Sequence, residues 1–144
     1  YLIITDEMTH ALTLAAKRGV DVRIITPGIP DKKQIYNITR SFYHGLVKDG
    51  VRIYEWTPGF CHAKMSVADD CMATCGTINL DYRSLYHHFE NGCFMTDCDA
   101  VLDIRNDLEA TMKECREVTE KYRVGRSAYL RLGQLFMRLF AGLL

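Results

Sequence analysis

A chain of 144 residues with 48% hydrophobic and 25% charged side chains, 10 glycines and 3 prolines has the composition of one ordinary globular domain. That excludes a disordered tail and leaves no room for two full domains; at this length folding typically buries roughly 68–70% of the unfolded chain's surface, so a core is expected without disulfide staples. The 18 basic and 18 acidic side chains cancel overall, yet residues 1–120 hold 13 Lys/Arg against 18 Asp/Glu, whereas residues 121–144 hold five bases and no acid. An acidic body is not the broad basic face that collects phosphates along a nucleic acid, so no nucleic acid is expected as partner and any anion is bound locally.

In chain order, residues 1–4 read as a short apolar strand and residues 6–18 as a helix with acids in its first turn and Gly19 as its stop. A β-branched run at 22–26 ends in Pro27, after which Asp31 is expected to cap a long helix. Ile35, Ile38, Phe42 and Leu46 of that helix recur at helical spacing, their aromatic neighbours are core positions, and Asp49-Gly50 closes it. Residues 51–55 form a third strand, and strand–helix–strand–helix–strand order implies a largely parallel sheet with helices packed on it. Residues 63–68 and 71–76 are two runs joined by Asp69-Asp70, which predicts a hairpin. A strand is expected over 88–96, then a helix opened by Asp99 with Val101, Leu102, Ile104, Leu108 and Met112 inward. The last stretch, 127–144, reads as an apolar helix with a narrow stripe of Arg131, Gln134 and Arg138; it is expected to dock on the rest of the protein, with an anionic bilayer as the competing partner.

No stretch approaches the ~18 apolar residues of a spanning helix, and the start lacks the charged flank of a signal peptide. Opening directly on a strand, with no initiator Met, the chain is expected to be a segment of a longer protein. The six cysteines lie mostly in apolar, strand-like runs and are read as buried thiols in a reducing compartment. A zinc site from Cys71, Cys75, Cys93 and Cys98 would lack the tight Cys-x2-Cys spacing, so no metal or other cofactor is expected.

The chemistry concentrates in His62-x-Lys64-x4-Asp69 and Gly76-Thr77-x-Asn79. Alternation along a strand points His62 and Lys64 the same way, and Thr77 and Asn79 likewise. An unpaired Lys inside a mostly apolar strand costs several kcal/mol to bury, a cost that a bound anion removes. Neutral imidazole is a nucleophile near pH 7 and also returns a proton to a leaving alkoxide; Lys64 and Asn79 suit the charge that develops on phosphate oxygens. Glu90 is the candidate to hold the other nitrogen of the His62 ring. His62 alone would read as a satisfied core histidine, and His87-His88, facing opposite ways on a strand, as structural rather than a metal pair.

Those residues, with the downstream Glu90, resemble the HKD signature of the phospholipase D superfamily. Residues 52–64 (RIYEWTPGFCHAK) and 79–84 (NLDYRS) resemble the C-terminal half of the bacterial cardiolipin synthases, and the resemblance runs over nearly the whole chain. It implies a phospholipase D-like α/β/α sandwich with a mixed, largely parallel sheet flanked by helices: residues 1–124 as one catalytic half-domain and 125–144 as an amphipathic helix. It implies phosphatidyl transfer between two phosphatidylglycerol molecules, giving cardiolipin and glycerol through a phosphohistidine. His62, Lys64, Asn79 and Glu90 would carry the reaction, Thr77, Gly76 and Arg83 would line the substrate pocket, and Asp69 would complete the motif as a structural anchor at the turn. Tyr82-Arg83-Ser84 reads equally as a headgroup contact or a turn. The family uses two such motifs in one active site, whereas none of His10, His44, His87 and His88 has a Lys two residues later. The missing half would come from an N-terminal portion of the same protein or from a second copy, and an isolated half is expected to be inactive unless it dimerises. The protein is expected at the bacterial cell membrane, with this domain on the reducing, cytoplasmic side and anionic lipid as partner. A homodimeric phosphodiesterase or nuclease and a catalytically silent phospholipid-binding module are the alternatives.

Overall fold

In the computed structural model, which describes residues 1–124 and Phe136, strand β1 (Leu2–Ile3) leads into helix α1 (Asp6–Lys17). Thr5 caps that helix, its hydroxyl accepting from the Met8 amide at 3.2 Å, and Asp6 and Glu7 sit where the helix dipole favours negative charge. Strand β2 (Arg23–Pro27), helix α2 (Lys33–Lys48) and strand β3 (Arg52–Trp56) follow, each within two residues of expectation. Asp31 is not the cap of α2. Lys32 occupies that position without a side-chain cap, and the Asp31 carboxylate accepts instead from the Lys32 amide at 2.7 Å and from the Tyr1 hydroxyl.

The hairpin is made by β4 (Met65–Ala68) and β5 (Met72–Gly76), with Asp69 and Asp70 at φ 50° and 57°, left-handed values that short polar side chains tolerate. Residues 63 and 64 precede β4 rather than belonging to it. A two-residue strand β6 (Leu80–Asp81) and a π-helical turn at Arg83–His87 come next, neither of them expected. Strand β7 is shorter than the expected 88–96, running Gly92–Thr96, so Glu90 stands in the approach to it. Helix α3 (Asp99–Glu114) buries Val101 but leaves Leu102 40% exposed, so Leu102 is not inward. A short strand β8 (Arg116–Glu117) and helix α4 (Thr119–Arg123) end the described part; the helix expected over 127–144, and with it the domain boundary at 125, fall outside the described residues.

The architecture is mixed α/β, with strands in three sheets ordered β1-β6, β2-β3-β8 and β4-β5-β7. Parallel pairing holds for β1–β6 and β2–β3, where a helix returns the chain; the remaining pairings are antiparallel. The core packs α2 (Ile38, Phe42, Tyr43, Leu46, Val47) against β1 and β3 and against Val118 and Tyr122. Tyr43 and Tyr122, both fully buried, meet edge to face at 4.8 Å. Glu55 on β3 is also fully buried, and its carboxylate takes two hydrogen bonds from Arg40 on α2 at 2.8 Å and one from Arg116 on β8 at 2.7 Å. A bidentate guanidinium on one side and a second on the other offset the desolvation of that charge. The cysteines are not the buried thiols expected: Cys75, Cys93 and Cys98 are exposed, Cys61, Cys71 and Cys115 half-buried, and all are free. Only Cys75 and Cys93 lie on strands; Cys61 is in a loop, Cys71 in the hairpin turn, and Cys98 and Cys115 cap the two ends of α3, where thiols reach solvent.

Candidate active site

The segment 57–64, between β3 and β4, has no regular structure, and it carries the chemistry to the mouth of a cavity of about 550 Å³. His62, Lys64, Gly76, Asn79 and Glu90 all line that cavity, with Tyr1, Asp31 and Phe60 around them. Lys64 Nζ lies 2.6 Å from His62 Nδ1 and donates to the His62 carbonyl at 2.7 Å. Strand alternation is therefore not what brings imidazole and ammonium together; the Lys64 side chain folds back over the preceding loop. The register of the hairpin still anchors the pair, because the Lys64 carbonyl accepts from the Gly76 amide at 3.1 Å. The Phe60 ring stacks on His62 at 5.6 Å between centroids and covers one face of the imidazole. Among the described residues no carboxylate lies within ion-pair distance of Lys64. Its charge is open to the cavity.

Asn79 is held at the cavity by a backbone bond to Ser84, which is itself fixed by Asp81. Its amide donates to Ser84 Oγ at 3.2 Å, and the Ser84 amide donates to the buried Asp81 carboxylate at 2.7 Å. Asp81 and Ser84 do this unforeseen; an Asp accepting from the amide three residues on is the ordinary capping pattern, so the signal was present in Asp81-x2-Ser84. The Asn79 Oδ1 faces the Tyr1 backbone nitrogen at 3.4 Å. Also at the cavity, the Tyr1 hydroxyl donates to Asp31, and burial together with that carboxylate raises its pKa to about 12.

Glu90 does not meet the His62 ring. Its carboxylate accepts from the Thr77 hydroxyl, and that bond, helped by Ser84 and by the charges of His88 and Lys64, holds its pKa below the usual carboxylate value. The nearest hydroxyl takes the carboxylate because Thr77 and Glu90 flank the same end of the β5–β7 ladder, where the Thr77 amide donates to the Asn91 carbonyl at 2.8 Å. Gly76 is required by that same approach: a Cβ there would run into the Asn91 carbonyl and lie 2.5 Å from Gly92 Cα. Thr77, expected to line the pocket, stands behind Glu90 rather than on the cavity wall. Arg83 also lies off the wall, its Nε donating to His88 Nε2 at 2.7 Å, and Asp69 sits at the far hairpin turn. The cavity thus offers one imidazole, one ammonium outside ion-pair distance of any carboxylate among the described residues, and one amide, with the Glu90 and Asp31 carboxylates also on its wall, a set suited to a small anion whose charge changes during reaction.

Residues 1–112 match the family described as cardiolipin synthase, phospholipase D-like domain. The chain is 50% identical over 144 residues to an uncharacterized protein of Streptococcus mutans and 34% identical over 144 residues to cardiolipin synthase 2 of Bacillus cereus. Both alignments cover all of this chain but only 31% and 28% of those relatives, so the chain spans about three tenths of the length of the curated relatives it matches. Among solved structures it resembles the phospholipase D family member Nuc from Salmonella typhimurium, with a TM-score of 0.70 and 17% identity over 81% of this chain and 76% of that one. That likeness carries the fold.

Proposed function

The chain belongs to the phospholipase D-like family of the cardiolipin synthases, and from that premise we propose that it supplies one of two half-sites of a phosphatidyltransferase. The observation that carries this is the convergence of His62, Lys64 and Asn79 on one cavity, with Lys64 Nζ 2.6 Å from the imidazole and in no ion pair among the described residues. As long as a ring nitrogen accepts from Lys64, its lone pair is not free for phosphorus. An anionic phosphodiester draws the ammonium onto its oxygens and releases the imidazole in the same step. The freed nitrogen attacks phosphorus, forming a P–N bond as the P–O bond to the leaving glycerol breaks; in the alternative role the other ring nitrogen, which carries the proton of the neutral imidazole, gives that proton to the departing oxygen. The second half-site performs the complementary role, and the hydroxyl of a second phosphatidylglycerol then displaces the histidine to give cardiolipin. Asn79 and Lys64 stabilise the charge on the equatorial oxygens, and Glu90 positions Thr77 and the ladder end behind them.

In this reading the second half-site lies outside this chain, which spans about three tenths of the length of its relatives, and the reaction takes place at the bacterial membrane, where the substrate lipid resides. No helix among the described residues is long and apolar enough to cross a membrane. A second reading, a phosphodiesterase assembled from two copies of the chain, is favoured by the 76% coverage of one phospholipase D family chain by this one. The test is cardiolipin and glycerol release from phosphatidylglycerol vesicles by the full-length protein and by His62→Asn. The variant is expected to lose on the order of 10²–10⁴-fold in rate, the range of a positioned proton-transfer group, and unchanged turnover would overturn the proposal. A 144-residue chain that sediments as a monomer removes the two-copy reading.

A further inference from the structure

Three of the six cysteines, Cys61, Cys75 and Cys93, line the cavity, and phosphodiester chemistry uses none of them. Cys75 on β5 and Cys93 on β7 are direct partners in the ladder. Opposite residues in an antiparallel pair project their side chains from the same face of the sheet, so the two thiols stand side by side. The class of the pair follows from its neighbours. The Thr77 amide donates to the Asn91 carbonyl at 2.8 Å and the Asp97 amide to the Cys71 carbonyl at 2.8 Å, and hydrogen-bonded pairs recur at every second residue along such a ladder. Cys75–Cys93, two residues from Thr77–Asn91, is therefore a hydrogen-bonded pair, whose Cα atoms lie about 5.5 Å apart. A disulfide spans Cα separations of roughly 4.4–6.8 Å, which the pair meets; its Cβ atoms, at the wide end of about 4.5–5.5 Å in a hydrogen-bonded pair, must draw together by about 1 Å as the bond forms. Both thiols are exposed and free, and β7 is an edge strand of its sheet.

We propose that Cys75 and Cys93 are an oxidative modification site, a cross-strand dithiol in the cavity wall that a hydroperoxide converts to a disulfide. One thiolate attacks the terminal oxygen of the peroxide, breaking its O–O bond and forming a sulfenic acid; the departing oxygen takes up the proton the thiol gave up and leaves as water from hydrogen peroxide, or as an alcohol from an organic hydroperoxide. The second thiol attacks that sulfur, forming the S–S bond and releasing water, so two electrons pass from sulfur to peroxide. This inference stands apart from the phosphatidyl-transfer reading, because it requires only the ladder register and the accessibility of the thiols.

The test is to treat the protein with one equivalent of hydrogen peroxide, block remaining thiols, digest without reduction and locate the bridge by fragmentation mass spectrometry. The expected product in most oxidised chains is one bridge between Cys75 and Cys93, two hydrogens lighter than the free pair and lost in dithiothreitol. Cys75→Ser and Cys93→Ser are each expected to abolish it, and a Cys61→Ser/Cys71→Ser/Cys98→Ser variant to retain it. A bridge that instead joins Cys61, Cys71 or Cys98, or oxidation of Cys75 and Cys93 to sulfinic acids without a link, overturns the proposal.

Discussion

Lys64 is the residue on which the chemistry of the cavity turns. An ammonium 2.6 Å from a ring nitrogen, with no carboxylate within ion-pair distance among the described residues, is placed to take an anion. Lys64→Gln is expected to raise KM for a phosphodiester substrate tenfold or more and to lower kcat as well, because the charge it meets grows in the transition state. Steady-state kinetics over a range of substrate concentrations separates the two; an effect on neither would mean that the ammonium is a solvated surface charge. Motif residues were legible in the sequence because their spacing is local: His62, Lys64, Asn79 and Glu90 all reach the cavity wall. Their partners were not. A carboxylate joins whichever donor the fold brings nearest, and for Glu90 that is Thr77, across a ladder end whose register the sequence does not display.

Between elements, two ion clusters hold the sheet of β2, β3 and β8 to its surroundings. Arg40 on α2 and Arg116 on β8 share the buried Glu55, and Arg40→Met would leave that carboxylate with a single, largely exposed partner. A loss of about 3 kcal/mol in unfolding free energy is expected from urea titration, the low end for breaking a buried pair because Arg116 remains. At the outer edge, Asp21 accepts from Arg23 on β2 and Arg52 on β3, which pull its pKa down to about 2. A folded-state value below the unfolded one, about 3.9, stabilises the native state fully above that unfolded value and loses this contribution as pH falls from about 4 toward 2. Asp21→Asn is expected to flatten the stability profile in that window alone, measured as the denaturation midpoint against pH. Most helices and longer strands were visible from periodicity, whereas β6, β8 and the π-helical turn were not, since two residues are too few to show a period.

At the scale of the whole molecule, α4 closes the core from far along the chain, its Tyr122 ring set against Tyr43 of α2. Tyr122→Ala is expected to cost about 3–5 kcal/mol and to shift the urea midpoint without altering the cavity residues, which lie on other elements. The amino-acid sequence alone determined the α/β class, the helix over 33–48, the hairpin at Asp69-Asp70 and the HKD-like cluster, because each depends on side chains a few positions apart. Tertiary structure alone decided that Lys64 folds onto the imidazole, that Asp81 and Ser84 hold the Asn79 backbone, and that Cys75 stands opposite Cys93. Those are contacts between segments meeting through space, set by strand register and by competition among nearby donors, and neither quantity is written in the local order of residues.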